Sequence, residues 1–219
     1  MPGASGIVLY GAAYSVYVRA VRLALEEKGL DYRLEEIDIF APETLPAGYA
    51  RRHPFGKIPA FEHEGLALYE SDAILRYIEE RFPRPALLPE AIAPRARANQ
   101  LLAVLNNYAY RALVWDIYVE RCVLPQERGA ADEAKIDAAL PAARRCLGAL
   151  EDLTADAAFL LVERPLLPDL LAYPILRLFR AAPEGTRMLL DYPRLAAAHT
   201  AMAARPSAQA TRFPVEGEG

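Results

Sequence analysis

Apolar residues in the first third of the chain keep changing period, whereas from about residue 95 onward they recur every three or four positions with little interruption. Residues 7–10 (IVLY) are a short β-branched and aromatic run closed by Gly11, which predicts a strand. Ser15 then precedes a helical pattern in which Tyr14, Val18, Val21 and Leu25 share a face, and Gly29 stops it beyond Lys28. A second strand is predicted over residues 32–39. Residues 41–52 carry Pro42, Pro46 and Gly48 and leave room only for short or irregular helix. Two further strands, 58–61 and 66–69, flank the turn Glu64-Gly65. They run directly into Ser71, predicted as an N-cap, after which Ile74, Leu75, Ile78 and Phe82 follow at helical spacing.

Pro83, Pro85, Pro89 and Pro94 interrupt any regular element and mark residues 84–93 as a linker. It separates a mixed domain, residues 1–83, from a helical domain, residues 94–219. The first helix of the second domain is predicted to run to about Cys122, with Leu101, Leu102, Leu105, Tyr108, Ala112, Trp115 and Val119 at its apolar positions. A second covers 132–153 and should kink at Pro141, where one backbone bond is lost. Residues 168–180 are apolar on nearly every side, as befits a helix buried in the middle of a domain. A last helix is predicted over 193–204.

Composition narrows the partners. With 53% hydrophobic residues in 219, there is ample material for cores. The net charge of −4 and the absence of a basic run argue against nucleic acid and anionic membranes. No apolar stretch approaches the ~20 residues needed to cross a bilayer. The start, MPGASGIVLYG, lacks the basic region of a signal peptide. Cys122 and Cys146 have no C-x-x-C partner and read as inert thiols of a reducing cytoplasm. His53, His63 and His199 are too scattered to suggest a metal site, so no metal is expected.

The stretch from His53 to Ser71 carries the strongest chemical signal. A proline beside a strand belongs at an edge or in a cis peptide. An edge with unpaired backbone groups, next to the free N–H groups of a helix N-terminus, can hold an extended peptide that ends in a carboxylate. Gly56-Lys57-Ile58-Pro59-Ala60-Phe61, followed by Glu70-Ser71, resembles the glutathione-binding core of the cytosolic glutathione transferases. In that family the proline is cis. The stretches Leu9-Tyr10-Gly11-Ala12-Ala13-Tyr14-Ser15 and Val21 to Gly29 (VRLALEEKG) are similar to serine-type members, most nearly the phi class and its bacterial relatives. Asp169 to Leu176 (DLLAYPIL) and Ala204-Arg205-Pro206-Ser207 extend the resemblance to about residues 6–213. It implies an α/β thioredoxin-like N-terminal domain followed by an all-α C-terminal domain, with glutathione as co-substrate and a homodimer as the assembly. Three positions depart from the pattern. Leu166 stands where a Ser or Thr cap is usual, so Asp169 is not expected to complete a capping box. His53 replaces an asparagine. Pro42-Glu43-Thr44-Leu45-Pro46 lacks the basic residues that often meet the glycyl carboxylate, a task that could fall to Arg51 or Arg52.

The chemistry follows from the weakness of the nucleophile. A thiol with a pKa of roughly 8.5 is mostly protonated at neutral pH, so the protein must stabilise the thiolate. A hydroxyl at a helix N-terminus does so by a hydrogen bond aided by the helix dipole. Ser15 is the expected donor; where thioredoxin-like oxidoreductases carry C-x-x-C, this turn reads Tyr14-Ser15-Val16-Tyr17. Tyr10, at the end of the first strand, is the rival. The resemblance implies that the backbone of Ile58, before Pro59, pairs with the cysteinyl part of glutathione, that Lys57 reaches the ligand, and that Glu70 and Ser71 take the γ-glutamyl amine and carboxylate. Tyr108, Arg111, Trp115 and Tyr118 recur at spacings of three and four and, with Tyr14, are the expected wall of a pocket for apolar electrophiles. Three alternatives share the fold: a glutathione or apolar-ligand carrier without turnover, a glutathione-dependent isomerase or peroxidase, and an interaction module.

Overall fold

The computed structural model describes residues 6–216; the first five and last three residues, which include part of the stretch read for a leader, lie outside it. The backbone divides into two compact units, one formed by residues up to Leu87 together with those from Arg205 on, the other by Leu88–Ala204. The break falls inside the predicted linker. The C-terminal segment, expected to belong to the helical domain, instead joins the first unit.

The first unit is built on a four-stranded sheet of order β2-β1-β3-β4. Strand β1 (Ile7–Gly11) pairs in parallel with β2 (Tyr32–Glu36), and helix α1 (Val16–Glu27) makes the crossover between them. Strand β3 (Ala60–His63) is antiparallel to β1 and to β4 (Leu66–Tyr69), and α2 (Ser71–Arg81) follows. This is the thioredoxin-like arrangement. Two single 3-10 turns, Pro42–Thr44 and Tyr49–Arg51, stand where a helix between β2 and β3 could have been. Pro42, Pro46 and a left-handed Gly48 (φ 80°) rule out anything longer. Strand β2 ends at Glu36, three residues early, because the Asp38 carboxylate turns the chain by accepting from the Phe40 N–H.

The core of this unit lies where Val18, Val21 and Leu25 of α1 and Ile74, Leu75 and Ile78 of α2 meet Ile7, Leu9 and Phe61 of the sheet, all essentially without exposure. Gly11 allows α1 to come this close. A Cβ built there would sit 2.3 Å from Cγ2 of Val18, a stiff β-branched side chain.

The second unit is helical. Helix α3 (Ile92–Val104) continues without a break into a π-helical stretch, Leu105–Val123, and then into α4 (Leu124–Arg128). Next come α5 (Glu133–Leu153), which runs through Pro141, α6 (Leu167–Phe179), α7 (Pro183–Met188) and α8 (Pro193–Ala203). Twelve of the thirteen residues of α6 are buried, as its apolar circumference predicted. The final helix, α9 (Pro206–Ala210), packs with α1 in the first unit.

Candidate active site

Sheet register brings the predicted residues of the first unit to one end of the sheet. Tyr10 pairs with Ala60, and Ala60 with Tyr69. The C-terminal end of β1, the N-terminal end of β3 and the C-terminal end of β4 therefore lie side by side. From these ends the chain passes into Ser15 at the head of α1, back from Pro59, and into Glu70-Ser71 at the head of α2. Two helix N-termini, with their outward N–H groups and positive dipole ends, thus border the same strand ends as the Ile58-Pro59 peptide, which is cis as the sequence suggested.

Ser15 is half-buried, has extended backbone (φ −80°, ψ 128°) and is the N-cap of α1. Its Oγ accepts from the Val18 N–H at 3.4 Å. Accepting leaves the hydroxyl proton to be donated elsewhere.

The tyrosines nearby are already committed. The Tyr10 hydroxyl donates to Glu62 Oε2 at 2.8 Å, and Arg52 covers its ring at 4.6 Å while donating from Nε to Glu62 Oε1 at 2.9 Å. Burial, then the bond to Glu62, hold the Tyr10 phenol above its usual pKa. Tyr14 donates to Asp38 Oδ1 at 2.8 Å and its ring lies 5.5 Å from that of Phe40. Burial and the Asp38 carboxylate push its pKa far up, so it too stays neutral. The pairing of Arg52 with Glu62 also occupies one of the two arginines considered for the glycyl carboxylate. The other, Arg51, is folded against Gly48, its guanidinium lying 2.5 Å from where a Cβ there would stand.

At the head of α2 the structure corrects the predicted cap. Glu70 is the N-cap, with φ 69° and no side-chain cap bond, while Ser71 is the first helical residue. Glu70 is exposed and Ser71 is 8% exposed. The positive φ is a strained value for glutamate, which turns the chain sharply from β4 into α2. Lys57 is exposed and Ile58 buried.

Two residues of this region were given no role from the sequence, although His53 stood out there as a departure from the family pattern. Tyr49 is 3% exposed and donates its hydroxyl to the Lys57 carbonyl at 2.8 Å. His53 is 2% exposed, with Nδ1 lacking a hydrogen-bond partner and the ring 5.1 Å from that of Tyr69. Burial lowers the His53 pKa, and nearby Glu70 only partly restores it, so the ring is neutral at pH 7. Only the fold shows that a tyrosine in a Pro/Gly-rich loop points inward.

In the second unit the four residues expected to form a stripe do not share a face. Tyr108 is 64% exposed, Trp115 37% and Tyr118 only 8%, and Arg111 is exposed with its Nε on Asp116 Oδ1 at 2.7 Å. The winding is the reason. In a π-helix, i→i+5 bonds replace i→i+4, so spacings of three and four no longer fall in one line. Leu166 indeed offers no cap to α6, but Asp169 makes its own half of the box, accepting the Leu166 N–H at Oδ2 (2.9 Å) and the Leu160 N–H at Oδ1 (2.8 Å).

A two-unit chain with a thioredoxin-like first part, a cis proline opposite a strand-to-helix turn and a helical second part defines a class of glutathione-dependent proteins. Family models agree: the glutathione S-transferase N-terminal domain matches residues 9–86 and the C-terminal domain residues 101–206. The chain belongs to the glutathione S-transferase family. It is 28% identical to a rice protein named probable glutathione S-transferase GSTF1, across 92% of this chain and 93% of that one. Among solved structures, glutathione S-transferase-I bound to lactoylglutathione superposes with a TM-score of 0.82 at 28% identity, covering 96% and 98% of the two chains. Glutathione transferase F7 of Populus trichocarpa gives 0.81 at 26% identity, covering 94% and 97%. Among the described residues, no helix is long and apolar enough to cross a membrane.

Proposed function

We propose that the protein conjugates the glutathione thiolate to hydrophobic electrophiles, with Ser15 stabilising the sulfur anion. The observation that carries this is the state of the hydroxyls at the sheet end. Ser15 accepts from its own helix and has its hydroxyl hydrogen left to donate, whereas the neutral Tyr10 and Tyr14 phenols already donate hydrogen bonds to Glu62 and Asp38. In the same reading Ile58 presents its main chain to the cysteinyl residue, Glu70 and Ser71 hold the γ-glutamyl end, and Lys57 reaches the ligand from the turn. In this reading Tyr14, at the head of α1, lines the place of the electrophile beside the sulfur. The enzyme works as a cytoplasmic homodimer without metal.

The test is turnover of a panel of electrophiles and hydroperoxides with glutathione, alongside a direct glutathione titration. Ser15→Ala is expected to lower turnover by roughly 100-fold or more, the scale for loss of one donor to a developing anion, while glutathione affinity stays near the parent's. Binding without turnover in the parent would make the protein a carrier, and reduction of hydroperoxides alone would make it a peroxidase.

A further inference from the structure

The loop that leads into the cis proline is tied from inside by one hydroxyl. Tyr49 is 3% exposed, its main-chain carbonyl accepts from the Arg52 N–H at 2.8 Å and the His53 N–H at 3.1 Å, and its Oη donates to the Lys57 carbonyl at 2.8 Å. Between these anchors the chain turns at Gly56 (φ 60°), whose N–H donates to the His53 carbonyl at 2.9 Å. The loop is therefore closed on itself, with a buried phenol as its strut. The peptide group that the phenol holds is the one joining Lys57 to Ile58, directly ahead of the cis bond.

Peptide geometry turns this contact into a statement about binding. In a trans peptide the C=O and N–H lie in one plane and point in opposite directions. Drawing the Lys57 carbonyl inward to Tyr49 therefore turns the Ile58 N–H outward, at the sheet end where the heads of α1 and α2 also lie. We infer that Tyr49 is a positioning residue for glutathione: it does not touch the ligand but fixes the plane of the 57–58 peptide so that the Ile58 N–H meets the ligand's main chain. This inference rests on the glutathione-binding reading proposed above. The buried phenol suits the task, because burial pushes its pKa up to about 12 and keeps the donor protonated at any working pH.

The effect belongs to binding and not to the chemical step, since the main-chain contact is made equally in the ground and transition states. Tyr49→Phe removes one oxygen and keeps the ring. It should weaken glutathione binding, and raise KM, by about 5-fold, the loss that follows when one ligand hydrogen bond of ordinary strength is loosened, with kcat within twofold of the parent. A role confined to stability would lower the melting temperature and leave KM unmoved in variants that remain folded at the assay temperature. As a second measurement, hydrogen exchange of the Ile58 amide in the parent should slow on adding glutathione. If Tyr49→Phe binds glutathione as tightly as the parent, or loses kcat as much as affinity, or if exchange at Ile58 is unchanged by glutathione, the inference fails while the enzyme reading stands. A parent that does not bind glutathione at all overturns both.

Discussion

Ser15 and Tyr10 were rivals because both end near the turn after β1, and the side-chain partners separate them. The Tyr10 phenol is the donor in a three-membered set with Glu62 and Arg52. Tyr10→Phe is therefore expected to leave turnover within about threefold of the parent and to lower stability by ~1 kcal/mol, the usual worth of such a bond. Should Tyr10→Phe abolish turnover while Ser15→Ala does not, the thiolate donor is misassigned. Ser71 gains from the corrected cap. As first helical residue it does not cap α2 with its side chain, so Ser71→Ala should raise KM for glutathione, with a loss of ~1–3 kcal/mol for a hydrogen bond to a charged group, and leave both kcat and the melting temperature nearly unchanged. A variant that binds like the parent would place the γ-glutamyl carboxylate elsewhere. Neither the Tyr10 set nor the Tyr49 strut was legible in the sequence. Each depends on strand register or loop path bringing together residues 52 and 8 positions apart, which residue spacing does not encode.

At the scale of elements, α6 shows what its sequence did and did not disclose. Its buried course was evident from an apolar circumference, but the missing cap at Leu166 was read as a loss and proves to be half a loss, because the Asp169 carboxylate serves two backbone donors by itself. Burial raises this carboxyl from 3.8 to about 6, against the lowering effect of those donors. The sign follows: the raised group contributes stability that is complete below pH 4 and lost as pH rises through 6. Asn at 169 offers one acceptor where two N–H groups point, which should cost ~1–3 kcal/mol near pH 5. The gap to the parent should narrow toward pH 8, where only the parent carries a buried charge. A gap in melting temperature that is constant or widens over pH 5–8 would show that the carboxyl titrates normally. The π-helical stretch marks the opposite case. Leu105, Ala109, Leu113 and Ile117 would read as ordinary helix by any periodicity count, and nothing in the residue types announces i→i+5 bonding, so the aromatic stripe dispersed on folding.

For the molecule as a whole, the order of strands and helices was legible because most changes of hydrophobic period are bounded by glycine or proline, and that from β4 to α2 by Glu70-Ser71, while the membership of the C-terminal segment was not. That segment buries Ala208 and Phe213 but is tied to α1 chiefly by charged groups. Glu27, at the end of α1, receives Arg205 through two bonds of 2.6 and 2.7 Å and the Ser207 hydroxyl at 2.5 Å. Arg19, fully buried in the same helix, pairs with Glu216 at 2.5 Å, donates to the Ala208 carbonyl and lies 4.2 Å above the Phe213 ring. Sequence alone offers no means to pair charges 178 and 197 positions apart. The Glu27 side chain is 5% exposed and that of Arg205 37%, so the pair is sheltered on the carboxylate side and exceeds the worth of a fully exposed pair. Glu27→Ala should therefore destabilise the first unit by ~2–3 kcal/mol, the range for losing a bond to a charged group in a sheltered site. Because the loss falls on one anchor, hydrogen exchange should accelerate across residues 206–213 before it does in β1 or β3. If exchange in the segment and in the sheet rises by the same factor, the segment unfolds only with the whole unit and Glu27 is not its anchor.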